Sequence, residues 1–158
     1  MIKIKEKQSC ENIYIYKSTS INIYIDNNVN KGSDKILNID INKTSSDKKL
    51  FSEFSEYFTS FWVITKNENS KYHMIINIKD TSIIPVSLVS QIYNMLNQLE
   101  SIFKTNLHST CILSKKSTSI HFIKPILNAY KPSRPLKFTN TYEECKQFFI
   151  NPKNILHI

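Results

Sequence analysis

The sequence predicts a single α/β domain: a mixed, mainly parallel sheet flanked by about four helices, with antiparallel strands at its N-terminal side. Three observations carry that reading. Ile and Tyr alternate with polar residues through Lys43, the period of strands with one covered face. After Ser46 the apolar period becomes helical. From there strand-like and helix-like stretches alternate to the end, the order that builds crossover units and a parallel core.

Four early stretches alternate: "IKIKEK", "NIYIYKS", "INIYIDN" and "KILNIDINK". "STS" between the second and third is short enough for a hairpin, and "NNVNKGSD", with the single glycine Gly32, marks the next turn. Residues 1–30 therefore read as a strand and hairpin extension, and residues 31–158 as the body of the same domain.

In "SDKKLFSEFSEYFTSFWVI", Leu50, Phe51, Phe54, Phe58, Phe61 and Trp62 share one helical stripe, with Ser46 as N-cap and Asp47 in the first turn. "KYHMIINIKD" follows as a strand so continuously apolar that both its faces should be covered. "PVSLVSQIYNMLNQLESIF" is a second helix with Leu88, Val89, Ile92, Leu96, Leu99 and Phe103 inward, and "LHSTCILS" the next strand. "STSIHFIKPILNAYK" is a helix kinked or shortened by Pro125. "PLKFTN" is a short strand. In "TYEECKQFFI", Thr141 and Glu144 have capping-box spacing, Phe148 and Phe149 face inward, and Pro152 ends the helix. The inward stripes place Phe54, Phe58, Ile76, Ile78, Leu96, Leu99 and Ile112 in one core.

Composition removes several classes of function. With 158 residues and 41% apolar content the chain can bury a core and is not wholly disordered. No apolar run reaches the roughly 20 residues that span a bilayer, and "MIKIKEKQSCE" lacks the apolar segment of a signal peptide, so a cytoplasmic protein is expected. Cys10, Cys111 and Cys145 are scattered, as are His73, His108, His121 and His157, so neither a disulfide framework nor a metal site is predicted. One glycine cannot build a P-loop or a Rossmann turn. Asp80, Glu143 and Glu144 form no acid–base set, and no Ser or Cys has nucleophile context, so no catalytic residue or cofactor is predicted.

Every basic residue except Arg134 is lysine, and Asn and Ile are abundant, the codon signature of an AT-rich genome such as that of a large DNA virus, a protist or some bacteria. In a virus the location would be host cytoplasm or virion. The net charge of +8 is uneven: residues 111–158 carry eight basic and two acidic side chains. Lys115, Lys116, Lys124, Lys131, Arg134 and Lys137 form a candidate basic patch, with Lys124 and Lys131 on one helical face. Its partner would be nucleic acid, an anionic membrane surface or an acidic protein, while solubility and codon bias explain the same lysines without one.

The stretch "MIINIKDTSIIPVSLVSQIYNML" holds the other candidate site. A strand ends, hydroxyls follow, Pro85 fits the helix start, and Ser87, Thr81 and Ser82 lie where unpaired helix N–H groups favour an anion or a phosphate. The same hydroxyls serve equally as caps.

Across residues 35–150 this element order, and "MIINIKDTSIIPVSLVSQI" within it, resembles the STAS domains of SpoIIAA-like anti-sigma-factor antagonists. Those domains run from a strand through a turn ending in Asp-Ser to a helix whose N-terminal Ser is phosphorylated to release a partner. Ser87 falls at that place, although "IPVSL" stands where the family has Asp-Ser-Ser-Gly. The resemblance implies a non-enzymatic protein-binding or regulatory module, as part of a viral or regulatory assembly, with a protein partner and with self-association open. The alternative is an electrostatic binder of nucleic acid or anionic lipid through the Lys-rich last third.

Overall fold

The computed structural model describes residues 12–26, 35–42, 48–79, 86–115 and 119–153. The expected first strand, the Gly32 turn and the Ser46 cap lie outside them. Among the described residues six strands form one sheet in chain order: β1 (Ile13–Lys17), β2 (Ile21–Asp26), β3 (Lys35–Ile41), β4 (Tyr72–Asn77), β5 (Leu107–Leu113) and β6 (Leu136–Thr139). The described helices are α1 (Lys48–Glu68), α2 (Val86–Asn106), α3 (Ser119–Ala129) and α4 (Tyr142–Ile150). β1, β2 and β3 pair antiparallel, and β3 through β6 pair parallel. This is the expected α/β domain with its antiparallel N-terminal edge.

The β1–β2 turn is built by Ser18, whose Oγ accepts from the N–H groups of Ser20 and Ile21 at 3.2 and 2.9 Å. A bulge between Tyr14 and Tyr16 then turns Tyr16 onto the α1 side. There its ring lies 5.0 Å from that of Tyr57, and its hydroxyl donates to Glu53 at 3.3 Å.

The two faces of the sheet are covered unequally. On one, Ile23, Leu37, Ile39 and Met74 pack against Phe54, Phe58 and Trp62 of α1 and against Met95, Leu99 and Phe103 of α2. α3 extends this layer through Leu127, which packs with Ile78, Ile112 and Leu136. On the other, Ile36, Ile75, Cys111 and Leu113 meet Cys145, Phe148 and Phe149 of α4. Of the seven expected core residues, Phe54, Phe58, Ile78, Leu99 and Ile112 are buried, while Ile76 and Leu96 are half-buried against them.

Helix ends are closed by specific bonds. α1 stops in a Schellman turn: Asn69 takes a left-handed φ of 54°, Ser70 N–H reaches Thr65 O, and Asn69 N–H reaches Lys66 O. Buried Asn106, at the end of α2, donates to the carbonyls of Thr65 and Ser70 and ties the two helix ends together. Thr141 caps α4 by accepting from Glu144 N–H at 3.2 Å, while the Glu144 carboxylate takes the N–H of Asn140. α3 continues past Pro125 as far as Ala129, so Lys131 lies beyond the helix and does not share a face of it with Lys124.

Candidate functional site

β4 ends in a turn where Asn77 Oδ1 accepts from Lys79 N–H at 3.1 Å, and α2 begins at Val86. Ser87 is thus the second residue of α2. Thr81, Ser82 and the side chain of Ser87 lie outside the described residues. α2 leaves from the carboxyl end of a parallel strand, the side on which open α/β sheets place their ligands.

The basic residues spread over the C-terminal third. Lys115, exposed, follows the carboxyl end of β5, and exposed Lys124 lies on α3. Lys131, also exposed, and half-buried Arg134 precede β6 at the amino ends of the strands. Lys137, on β6, has its Nζ 6.0 Å from the ring centroid of Phe148 on the α4 side. Lys116 and the side chains of His121 and Phe122 lie outside the described residues. Lys115 and the Lys131–Arg134 pair therefore sit at opposite ends of the strands.

The sequence pattern does not reveal the feature with the most defined geometry: a cavity of about 190 Å³ between the sheet and α1, α2 and α3. Ile41, Ile78 and Leu88 line it near the carboxyl ends of the parallel strands; Leu107, Tyr130 and Arg134 line it near the amino ends. Its long walls are apolar, from Phe54, Met74, Met95, Leu96 and Phe103. Interiors normally leave few voids larger than a water.

Polar groups gather at the amino-end mouth. The Arg134 Nε–H donates to the carbonyl of Leu107 at 2.9 Å, which holds the guanidinium against the cavity. Among the described residues no carboxylate pairs with it. The Tyr130 hydroxyl donates to Glu100 and joins the segment after α3 to α2. Burial first, and then the Glu100 carboxylate, push its ionisation above the ordinary phenol range. Ser133 completes this end, and Thr110 lies beside Met74 at mid-strand.

The α4 face carries a separate run of polar bonds. Tyr142 donates from its hydroxyl to Asn38 Oδ1 at 2.8 Å, covering a side chain that is 0% exposed. His73 Nδ1 and Ser109 Oγ share a bond of 2.7 Å, and the His73 ring stacks on Phe149 at 4.4 Å. Cys111 and Cys145 are buried free thiols on either side of Thr139, their sulfurs 3.4 and 3.0 Å from its Oγ1. The Cys111 thiol is pushed up by its hydrogen bond to Cys145 and by burial, which keeps it a neutral packing group. Among the described residues no three His, Cys, Asp or Glu side chains converge as a metal site, and no helix is long and apolar enough to cross a membrane.

Comparison of the chain with protein-family models and with curated proteins finds no match.

Proposed function

We propose that the chain is a STAS-like, non-enzymatic module that binds a protein partner within a regulatory or viral assembly. The observation that supports this reading is the place of Ser87, second residue of a 21-residue helix that follows a parallel strand at the ligand side of the sheet. A phosphate there adds about −1.5 to −2 charges beside the positive end of the helix dipole, so the fold tolerates it while the surface seen by a partner changes.

Partner capture from the native source, followed by melts of Ser87→Asp and Ser87→Ala, tests this. Ser87→Asp should release the partner with the melting temperature nearly unchanged, and Ser87→Ala should retain it. If both variants bind alike, the switch is refuted and Ser87 is an ordinary residue of the first turn of α2.

A second reading draws on the exposure of Lys115, Lys124 and Lys131: electrostatic binding of nucleic acid or anionic lipid. Neutralising Lys115, Lys116, Lys124 and Lys131 together should then weaken DNA binding and flatten its dependence on salt. Unchanged retention on DNA would remove this reading.

A further inference from the structure

The geometry points to the cavity beneath α1, α2 and α3 as a binding site for a medium-length aliphatic chain with an anionic head, the head held at Arg134. This inference does not depend on the switch at Ser87.

Three features carry it. The first is the distribution of polarity. The body of the cavity is walled by Ile, Leu, Met and Phe, with Thr110 beside Met74 at mid-strand, while Ser133 and Arg134 lie at one end. Small-molecule sites have this form, an apolar body with a few placed polar groups that fix orientation. Met74 and Met95 add side chains that adapt to the shape of an occupant.

The second is size. A dry apolar cavity of about 150 Å³ holds benzene. At about 190 Å³ this one takes a slightly larger body, about seven to eight aliphatic carbons, with the head and the carbons next to it at the mouth, and not a sterol or a two-chain lipid.

The third is charge. Bonding of its Nε–H to Leu107 O orients the Arg134 guanidinium and leaves its terminal N–H groups for a ligand. The Glu100 carboxylate takes the Tyr130 hydroxyl, and exposed Lys131 adds a second positive charge three residues away. The mouth therefore selects a carboxylate or phosphate head over an amine.

The experiment is calorimetric titration of the full chain with the series from hexanoate to tetradecanoate, below micelle formation, and with decyl phosphate and decanol. One-to-one saturable binding is expected, tightest near octanoate and decanoate, with a rise in melting temperature. Decanoate or decyl phosphate should bind about tenfold or more tighter than decanol, and the tighter of the two identifies the head. Arg134→Met should abolish that preference while retaining decanol. Met95→Trp fills the cavity and should cut decanoate affinity about tenfold or more. Ile92→Phe, at the half-exposed rim, makes the same test if Met95→Trp does not fold. No saturable binding of any chain by folded wild type overturns the proposal. So does binding that survives the filling unchanged, and an unaltered decanoate-to-decanol ratio in Arg134→Met overturns the assignment of the head.

Discussion

The two faces of the sheet are held by different physics. The face under α1, α2 and α3 is apolar and aromatic: Trp62 meets Phe58 and Phe103 edge-on at 6.3 and 5.1 Å, and Phe54 stacks on Phe58 at 5.5 Å. The face under α4 is smaller and is tied by pairwise polar bonds, Tyr142 to Asn38, His73 to Ser109, and Thr139 to two thiols. Burial without direction tolerates imperfect fit, and the cavity lies on that side. Polar bonds at low dielectric do not, because a lost partner leaves a buried group unpaired. The face that can receive a ligand is therefore the one packed on the sheet by apolar side chains, with the bonds of Asn106, Tyr130 and Arg134 at the amino ends of the strands.

The sharpest way to break this comparison is Trp62→Ala. Trp62 is 0% exposed and joins α1 to α2, so the truncation should cost about 3–5 kcal/mol in urea denaturation. Trp62→Phe should cost clearly less, because the indole N–H has no partner among the described residues and little but volume is lost. Equal losses for Ala and Phe would mean that the indole itself, and not apolar volume, holds this face.

On the α4 face the larger effect should come from one oxygen. Tyr142→Phe removes the donor to Asn38 Oδ1 and should cost about 1–3 kcal/mol despite the small change in volume. Adding Asn38→Leu should recover much of that loss, since a buried amide without partners gives way to an apolar side chain. Additive losses in the double variant would contradict the polar account of this face.

Much of the architecture was legible because local periods decide it. The change from period two to helical period located β3, α1, β4, α2 and β5, and the Thr141–Glu144 spacing located the start of α4. What was not legible depends on residues far apart in the chain. In "KILNIDINK" the alternation assigns Asn38 to the polar face of its strand, yet Tyr142, 104 residues away, buries it completely. The cavity is likewise invisible locally, because it arises from how side chains of five strands and three helices fail to fill one volume. Tyr130 N–H bonds Ile126 O as α3 closes, and this separates Lys131 from the helix on which spacing alone placed it. At the candidate switch, Ser87 was placed on its helix by Pro85 and the apolar run.

Alkaline titration compares the faces with one probe. Burial is the first cause raising Tyr130 beside the cavity, and likewise Tyr24 and Tyr142 on the α4 side. A phenol raised by folding contributes stability that is fully present below its unfolded value, about pH 10. As pH climbs above that, the unfolded chain releases protons that the folded one retains, and the contribution is lost. Urea midpoints should stay level to about pH 10 and then fall. Glu100→Gln should lower the ionisation of Tyr130 alone, seen as an earlier component of phenolate absorbance. A stability that is level well above pH 10 would show these phenols to be solvated.

The smallest effect expected belongs to the start of α4, the one helix on its face among the described residues. Thr141 has extended backbone, φ −131° and ψ 153°, and its hydroxyl takes the N–H of Glu144, one of the donors a helix start leaves unpaired. Thr141→Ala should cost about 0.5–2 kcal/mol, and Thr141→Asp, a strong cap that also favours the helix dipole, should cost little or stabilise. Because α4 carries Cys145, Phe148 and Phe149 as a unit, fraying at its start should loosen them together. Amide exchange should therefore quicken in α4 of Thr141→Ala while α1 and α2 keep their protection. If protection falls evenly across both faces, the sheet does not separate two differently held layers but transmits the loss as one cooperative core.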